Sequence, residues 1–202
     1  MSTINTILRK YVNSRNQQQL KNRSFSVIAS NCIGACICHD LKLKFNSPFV
    51  NLWLKPKDFI KYAANIAFYS ACDLTFCEEP NITYPVGLLH DIRIYFQHYG
   101  TKDEARNKWN ERTKRIDLNN LFVLMTDRDG CTYQDLLDFD NLKYRNKVVF
   151  THKQYPEIKS SLYIKGYEDQ VSVGMCIGYV NCFSGRKVYD ALPYVSWFNG
   201  EW

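Results

Sequence analysis

No stretch of the sequence is expected to carry the chain across a membrane. No apolar h-region follows its N-terminus, so no secretory leader is predicted. No apolar run approaches the roughly 18 residues that a membrane-spanning helix needs. Paired cysteines at metal spacing are missing too: Cys32, Cys36, Cys38, Cys72, Cys77, Cys131, Cys176 and Cys182 include no C-x-x-C, which removes the usual zinc and dithiol patterns. Without an export route the thiols are expected to stay reduced, and those in apolar stretches to behave as small hydrophobes. There is no glycine-rich phosphate loop, because Gly34 stands alone after the first predicted strand. Neither sign of charge dominates. The 26 basic and 20 acidic residues leave +6, too little to argue for a nucleic-acid partner but compatible with a phosphorylated ligand or an anionic membrane surface.

What is present suffices for a packed core. Of 202 residues, 46% are hydrophobic and 15% aromatic, which excludes disorder for most of the chain. The length suits one domain, predicted over residues 25–202 and preceded by a basic helix and connector over residues 1–24. In that leading segment Ile4, Ile7, Leu8, Tyr11 and Val12 recur at helical spacing, with Arg9, Lys10, Arg15, Lys21 and Arg23 on or beyond the stripe. The favoured reading is a terminal helix docking on its own domain; peripheral contact with an anionic membrane is the other.

Strand and helix signals then alternate. Phe25–Ala29 reads as a strand and Ala35–Leu41 as a helix, Phe49–Leu54 as a second strand, and Pro56 as the first turn of a second helix. Residues 92–98 alternate with period two, which places His98 on the buried face of a strand. Thr101 and Glu104 open a charged helix over 102–116, whose inward stripe contains Arg112. Leu121–Met125 is apolar throughout, the signature of a strand covered on both faces. A helix over Tyr133–Phe139, strands at Lys147–Thr151 and Leu162–Ile164, and a terminal helix over Arg186–Phe198 complete the pattern. The fold class predicted is α/β: a three-layer α/β/α domain with a mixed, mainly parallel sheet.

In such sheets ligands bind beyond the carboxyl ends of the strands. Three strands end in polar turns, at Ser30-Asn31, Asp127-Arg128-Asp129 and Thr151-His152-Lys153. Two carboxylates one residue apart can share Mg²⁺ or Mn²⁺, so Asp127 and Asp129 are the candidate metal ligands and catalytic groups. Arg112, Arg128 and Lys153 are candidates to neutralise phosphate, with Ser30 and Asn31 offering an anion site at a helix start. His98 is added as an acid–base candidate because imidazole titrates near neutrality. An Asp-x-Asp after an apolar strand resembles the metal motif of nucleotide-sugar glycosyltransferases. The same residues with Gly130 resemble the first motif of haloacid-dehalogenase phosphatases, although Cys131 intrudes where that motif continues to Thr. A third reading is a non-catalytic sugar- or partner-binding subunit that stacks sugars on its tyrosines and tryptophans. No organic cofactor and no nucleic-acid partner are predicted.

The whole-chain pattern adds a resemblance. Ser30-Asn31-Cys32-Ile33-Gly34, Leu43 to Pro48, Asp58 to Lys61, Tyr84 to Gly87, Phe96 to Tyr99, Trp109, Arg112, Asp127 to Cys131 and Val149 to Thr151 together resemble the domain-of-unknown-function family numbered 1919. Its members are commonly labelled exopolysaccharide biosynthesis proteins. The resemblance spans about residues 24–200 and implies a cytoplasmic α/β protein serving surface-polysaccharide production; contact with the inner face of the membrane would come through residues 1–24. It supplies no catalytic residues. Relatives often look glycine-rich after Gly34, where this chain has Ala35 and Cys36.

Overall fold

The computed structural model describes residues 3–202. In chain order the elements are α1 (Thr3–Gln19), β1 (Ser26–Ala29), α2 (Ile33–Asp40), α3 (Pro56–Ala64), α4 (Ile66–Ala71), β2 (Leu74–Cys77), β3 (Val86–Leu89), β4 (Ile92–Tyr95), α5 (Lys102–Thr113), β5 (Leu121–Thr126), α6 (Tyr133–Asp140), β6 (Lys147–Thr151), β7 (Ser161–Tyr163), a 3-10 turn at Val188–Ala191, and α7 (Tyr194–Phe198).

The α/β class is as read from the sequence. The strands, however, divide between two sheets instead of sharing one mixed sheet. β1, β5, β6 and β7 form a wholly parallel sheet in that order, and β2, β3 and β4 form an antiparallel meander. Every residue of β5 is buried, which explains its unbroken apolar run. Its alternate side chains separate the two cores. Leu121, Val123 and Met125 face a layer containing Phe59, Tyr62, Trp109, Phe139 and the meander residues Leu89 and Ile94. Phe122 and Leu124 face the opposite layer, with Ile33, Ile37, Tyr189, Trp197 and Phe198.

Close approach of α2 to β1 depends on Gly34. A Cβ there would lie 2.7 Å from the Ala29 Cβ and 2.9 Å from the Val27 Cγ1. Gly34 therefore serves helix–strand packing, a different task from cradling phosphate.

The segment predicted as a strand at Phe49–Leu54 is irregular, because its main chain serves two partners. Trp53 exchanges backbone hydrogen bonds with Tyr95 (3.0 and 2.9 Å), while the next N–H, that of Leu54, donates to the Ser30 carbonyl at 3.0 Å. It thus stitches the meander to the end of the parallel sheet. The helix that begins at Pro56 breaks at Asn65, whose side chain caps α4 through the Phe68 N–H. The predicted terminal helix is likewise interrupted, with Pro193 between the 3-10 turn and α7.

α1 docks on the domain, though not through the face its periodicity suggested. Asn5 and Arg9 are buried, whereas Ile4, Ile7 and Tyr11 are exposed. One guanidinium makes the difference. Arg9 pairs with Asp40 at 2.6 Å and with Asp190, and donates to the Tyr189 hydroxyl at 2.9 Å. The helix also runs on to Gln19, through most of the predicted connector.

Candidate functional site

Asp127 follows β5, and its carboxylate is 3% exposed. One oxygen accepts the His152 backbone N–H at 2.7 Å and meets the His152 Nδ1 at 2.5 Å. Facing a carboxylate, Nδ1 is the protonated ring nitrogen. The other oxygen accepts the Val173 N–H at 2.8 Å. Three N–H donors occupy most of the roughly four acceptor sites that a carboxylate offers. Asp127 is a clasp: it joins the ends of β5 and β6 to the loop that begins near Val171.

Asp129 lies elsewhere in the same turn. Its backbone is left-handed (φ +60°), a region that Asp tolerates better than most residues, and Gly130 follows at φ +83°. The turn separates the tasks of the two aspartates. Asp129 lines a cavity of about 370 Å³ together with Arg128, while buried Asp127 holds His152 and Val173. The structure does not present the pair as a shared cation site, and among the described residues no group of three or more His, Cys, Asp or Glu side chains is arranged to hold a metal. With three N–H donors already on Asp127, Asp129 is the carboxylate of the pair with the freer oxygens for Mg²⁺ or Mn²⁺.

The cavity opens at the carboxyl ends of β1 and β5, between the parallel sheet and the meander. Asn31, Cys32 and Ile33 contribute the start of α2. Asn31 is fixed on both sides, donating to the Thr126 hydroxyl at 2.8 Å and accepting the Ile33 N–H at 3.2 Å. Trp53 and Tyr84 form an aromatic wall, with Gln97 and His98 beside them and Met175, Cys176 and Ile177 opposite. Trp53 is held flat by stacking on Tyr95, centroids 4.0 Å apart and planes 9° from parallel. Tyr95 is itself anchored by its hydroxyl on Glu79.

The electrostatics favour a bound anion or polyol over a nucleophilic centre. The Arg128 guanidinium makes no hydrogen bond among the described residues, and its nearest carboxylate, Asp129, is 4.0 Å away. Burial pushes the Asp129 carboxyl up despite that arginine. Burial likewise raises the Cys32 thiol and pushes Cys176 up to about 12, Arg128 opposing in both cases. Beside the site, burial and then Asp135, Asp127 and Asp129 push Cys131 up to about 12. Thiols held this high stay protonated near neutral pH and make poor nucleophiles.

Of the sequence candidates, Asn31, His98, Arg128 and Asp129 meet at this cavity. His98 gets there because β4 stops at Tyr95, leaving it exposed in the following turn and not on a buried strand face. Ser30 is buried and acts through its backbone, donating to Leu124 and accepting from Leu54. Arg112 lies in a separate cavity of about 320 Å³, donating to the Tyr99 hydroxyl at 2.8 Å with its guanidinium 5.7 Å from the Phe45 ring centroid. Lys153 is exposed and does not line the site. His90 and Asp91 form a hairpin turn in which Asp91 pairs with Lys61.

Sequence reading missed Trp53, Tyr84, Gln97 and His152. Trp53 falls in the segment whose pattern predicts a strand, and His152 lies one position before the candidate Lys153. The sequence did carry a signal for Tyr84, in a Tyr-Pro dipeptide that cannot continue a helix and holds the aromatic ring at a strand entrance.

A family described as a domain of unknown function (DUF1919) matches residues 3–199. A protein of Haemophilus influenzae (strain ATCC 51907 / DSM 11121 / KW20 / Rd), described as uncharacterized, is 49% identical over 198 residues, covering 98% of this chain and 95% of that protein. Among the described residues no helix is long and apolar enough to cross a membrane.

Proposed function

The chain belongs to the DUF1919 family, and from the geometry of its cavity we propose that it binds a phosphorylated or nucleotide-activated sugar and serves glycosyl transfer in bacterial surface-polysaccharide assembly at the cytoplasmic side. The carrying observation is the meeting of Trp53, immobilised on Tyr95, with Arg128 and Asp129 across one cavity. An indole face matches the apolar face of a pyranose or a base. Planar amides and a carboxylate suit vicinal hydroxyls, and Arg128 suits a phosphate through its fork of donors. Asn31, Gln97 and Asp129 supply the polar groups in this arrangement.

Asp127 positions the site in this reading. By holding Val173 it fixes the loop that carries Met175 and Ile177 into the cavity wall. The phosphatase alternative requires Asp127 as a nucleophile, and both its oxygens are already engaged by N–H donors. A non-catalytic sugar-binding role uses the same walls and differs only in turnover.

The test is a melting-shift panel of UDP, UDP-glucose, glucose 1-phosphate and glucose, each with and without Mn²⁺. The wild type is expected to be stabilised by at least one phosphorylated compound and little by glucose. Trp53→Ala and Arg128→Met are expected to remove that shift while their unliganded melting points stay close to wild type. No shift from any compound at millimolar concentration, or an equal shift in both variants, overturns the proposal.

A further inference from the structure

Exposed large apolar side chains are not scattered over this protein. Among the described residues, eight of the twelve (Ile4, Ile7, Tyr11, Val171, Met175, Ile177, Val180 and Phe183) belong to α1 or to the loop after Gln170. On α1, Ile4, Ile7 and Tyr11 lie within about 60° of one another on the side opposite Arg9, at 3.6 residues per turn. The loop folds into a small hairpin through the bridge between Tyr179 and Lys187, with Phe183, 75% exposed, near its tip.

The two segments are joined. Asn5 donates to the Asn181 carbonyl at 2.8 Å, and the Gly185 N–H donates to the Asn5 side chain at 3.2 Å. Gly185, at φ +63°, approaches so closely that a Cβ would lie 2.6 Å from the Leu8 Cβ. Ile4 therefore stands beside the hairpin that carries Val180 and Phe183. Singly exposed apolar residues need no explanation, but a joined set does.

Charge indicates what covers it. Residues 1–39 and 170–189 contain no Asp or Glu. Lys10, Arg15 and Arg186 are exposed and have no ion-pair partner among the described residues. An apolar face rimmed by unpaired cations and free of anions is what an anionic bilayer selects, with apolar groups entering the headgroup boundary and cations staying at its surface.

We propose that the outward face of α1 and the 179–187 hairpin together form a docking surface for an anionic lipid bilayer. The surface is independent of what the cavity binds. Met175 and Ile177 belong both to this loop and to the cavity wall, so docking sets the cavity close to the bilayer.

Flotation with vesicles of phosphatidylcholine alone, or with 30% phosphatidylglycerol, tests the proposal on the full chain. Wild type is expected to float with the anionic vesicles at low salt, and less as salt is raised. Ile7→Ser with Phe183→Ser is expected to weaken binding by roughly tenfold or more, the effect of leaving two apolar side chains in water. Lys10→Glu with Arg15→Glu is expected to abolish the preference for phosphatidylglycerol. Circular dichroism confirms folding, since all four side chains are exposed. Failure of wild type to float, equal binding to neutral vesicles, or unchanged binding by the Ser variant each overturns the proposal. So does a dimer in light scattering that the Ser variant makes monomeric, since a second copy would then cover this face.

Discussion

Replacing Arg9 with Met isolates the interaction that fixes α1. Its guanidinium is 6% exposed and lies between two carboxylates, Asp40 and Asp190, that are 8% and 7% exposed. Methionine fills much of the volume but leaves both acids without their principal cation. Lys187, 3.5 Å from Asp40, remains as partial relief. Removing one member of a buried ion pair costs about 3–5 kcal/mol, because the remaining charge stays desolvated. For a chain of this size that corresponds to a fall of about 6–20 °C in melting temperature.

The pH dependence follows from Asp40. Burial pushes its carboxyl up, but hydrogen bonds from Tyr189 and Arg9 outweigh burial and leave it below the ordinary carboxylate value of 3.8. A depressed acid contributes stability above its unfolded pKa and loses it as pH falls through the lower folded value. The gap between wild type and Arg9→Met should therefore be full at pH 7 and shrink below about pH 4. Urea unfolding at several pH values reads both quantities. Adding Asp40→Asn and Asp190→Asn to Arg9→Met should recover part of the loss, since the unpaired charges disappear. A loss under 1 kcal/mol at pH 7, or no recovery in the triple variant, would refute the reasoning.

Other outcomes follow from the same geometry. Asp127→Asn, which weakens three N–H contacts at one buried group, should cost about 2–4 kcal/mol in urea unfolding. Asp129→Asn keeps a side chain that tolerates φ +60°, so its melting point should move by less than about 2 °C while ligand-induced stabilisation falls; a large drop would make it structural instead. Gly34→Ala forces a methyl against Val27 and Ala29 and should cost about 1–3 kcal/mol in chemical denaturation, with a neutral result refuting the packing role.

The parallel sheet was legible because its strands β1 and β5 are buried throughout and the neighbouring helices carry local start signals, such as Thr132 capping α6 and Thr101 capping α5. The meander was harder to read. Its strands are four residues long, and the segment that ties it to the parallel sheet exchanges bonds with partners about 40 residues away in one direction and 24 in the other. The turn after β5 was located correctly, but the division of labour within it was not. Asp127 and Asp129 are chemically identical in sequence, and only the tertiary positions of His152 and Val173 decide which one is consumed. α1 misled for a related reason. Periodicity finds an apolar face, yet a buried cation between two acids can outbid it for the inward side.

The contacts that hold α1 also constrain the order of events during synthesis. Asn5, Arg9, Asn16 and Lys21 find partners at Asn181, Asp190, Tyr194 and Glu201, some 180 residues downstream. The contacts to Asp40, from Arg9 and Gln17, can form before that distant part of the chain has been made. Through that interval the acid-free, amphipathic surface of α1 stays available to whatever the nascent chain meets, with Asp40 the one early partner of its buried cation.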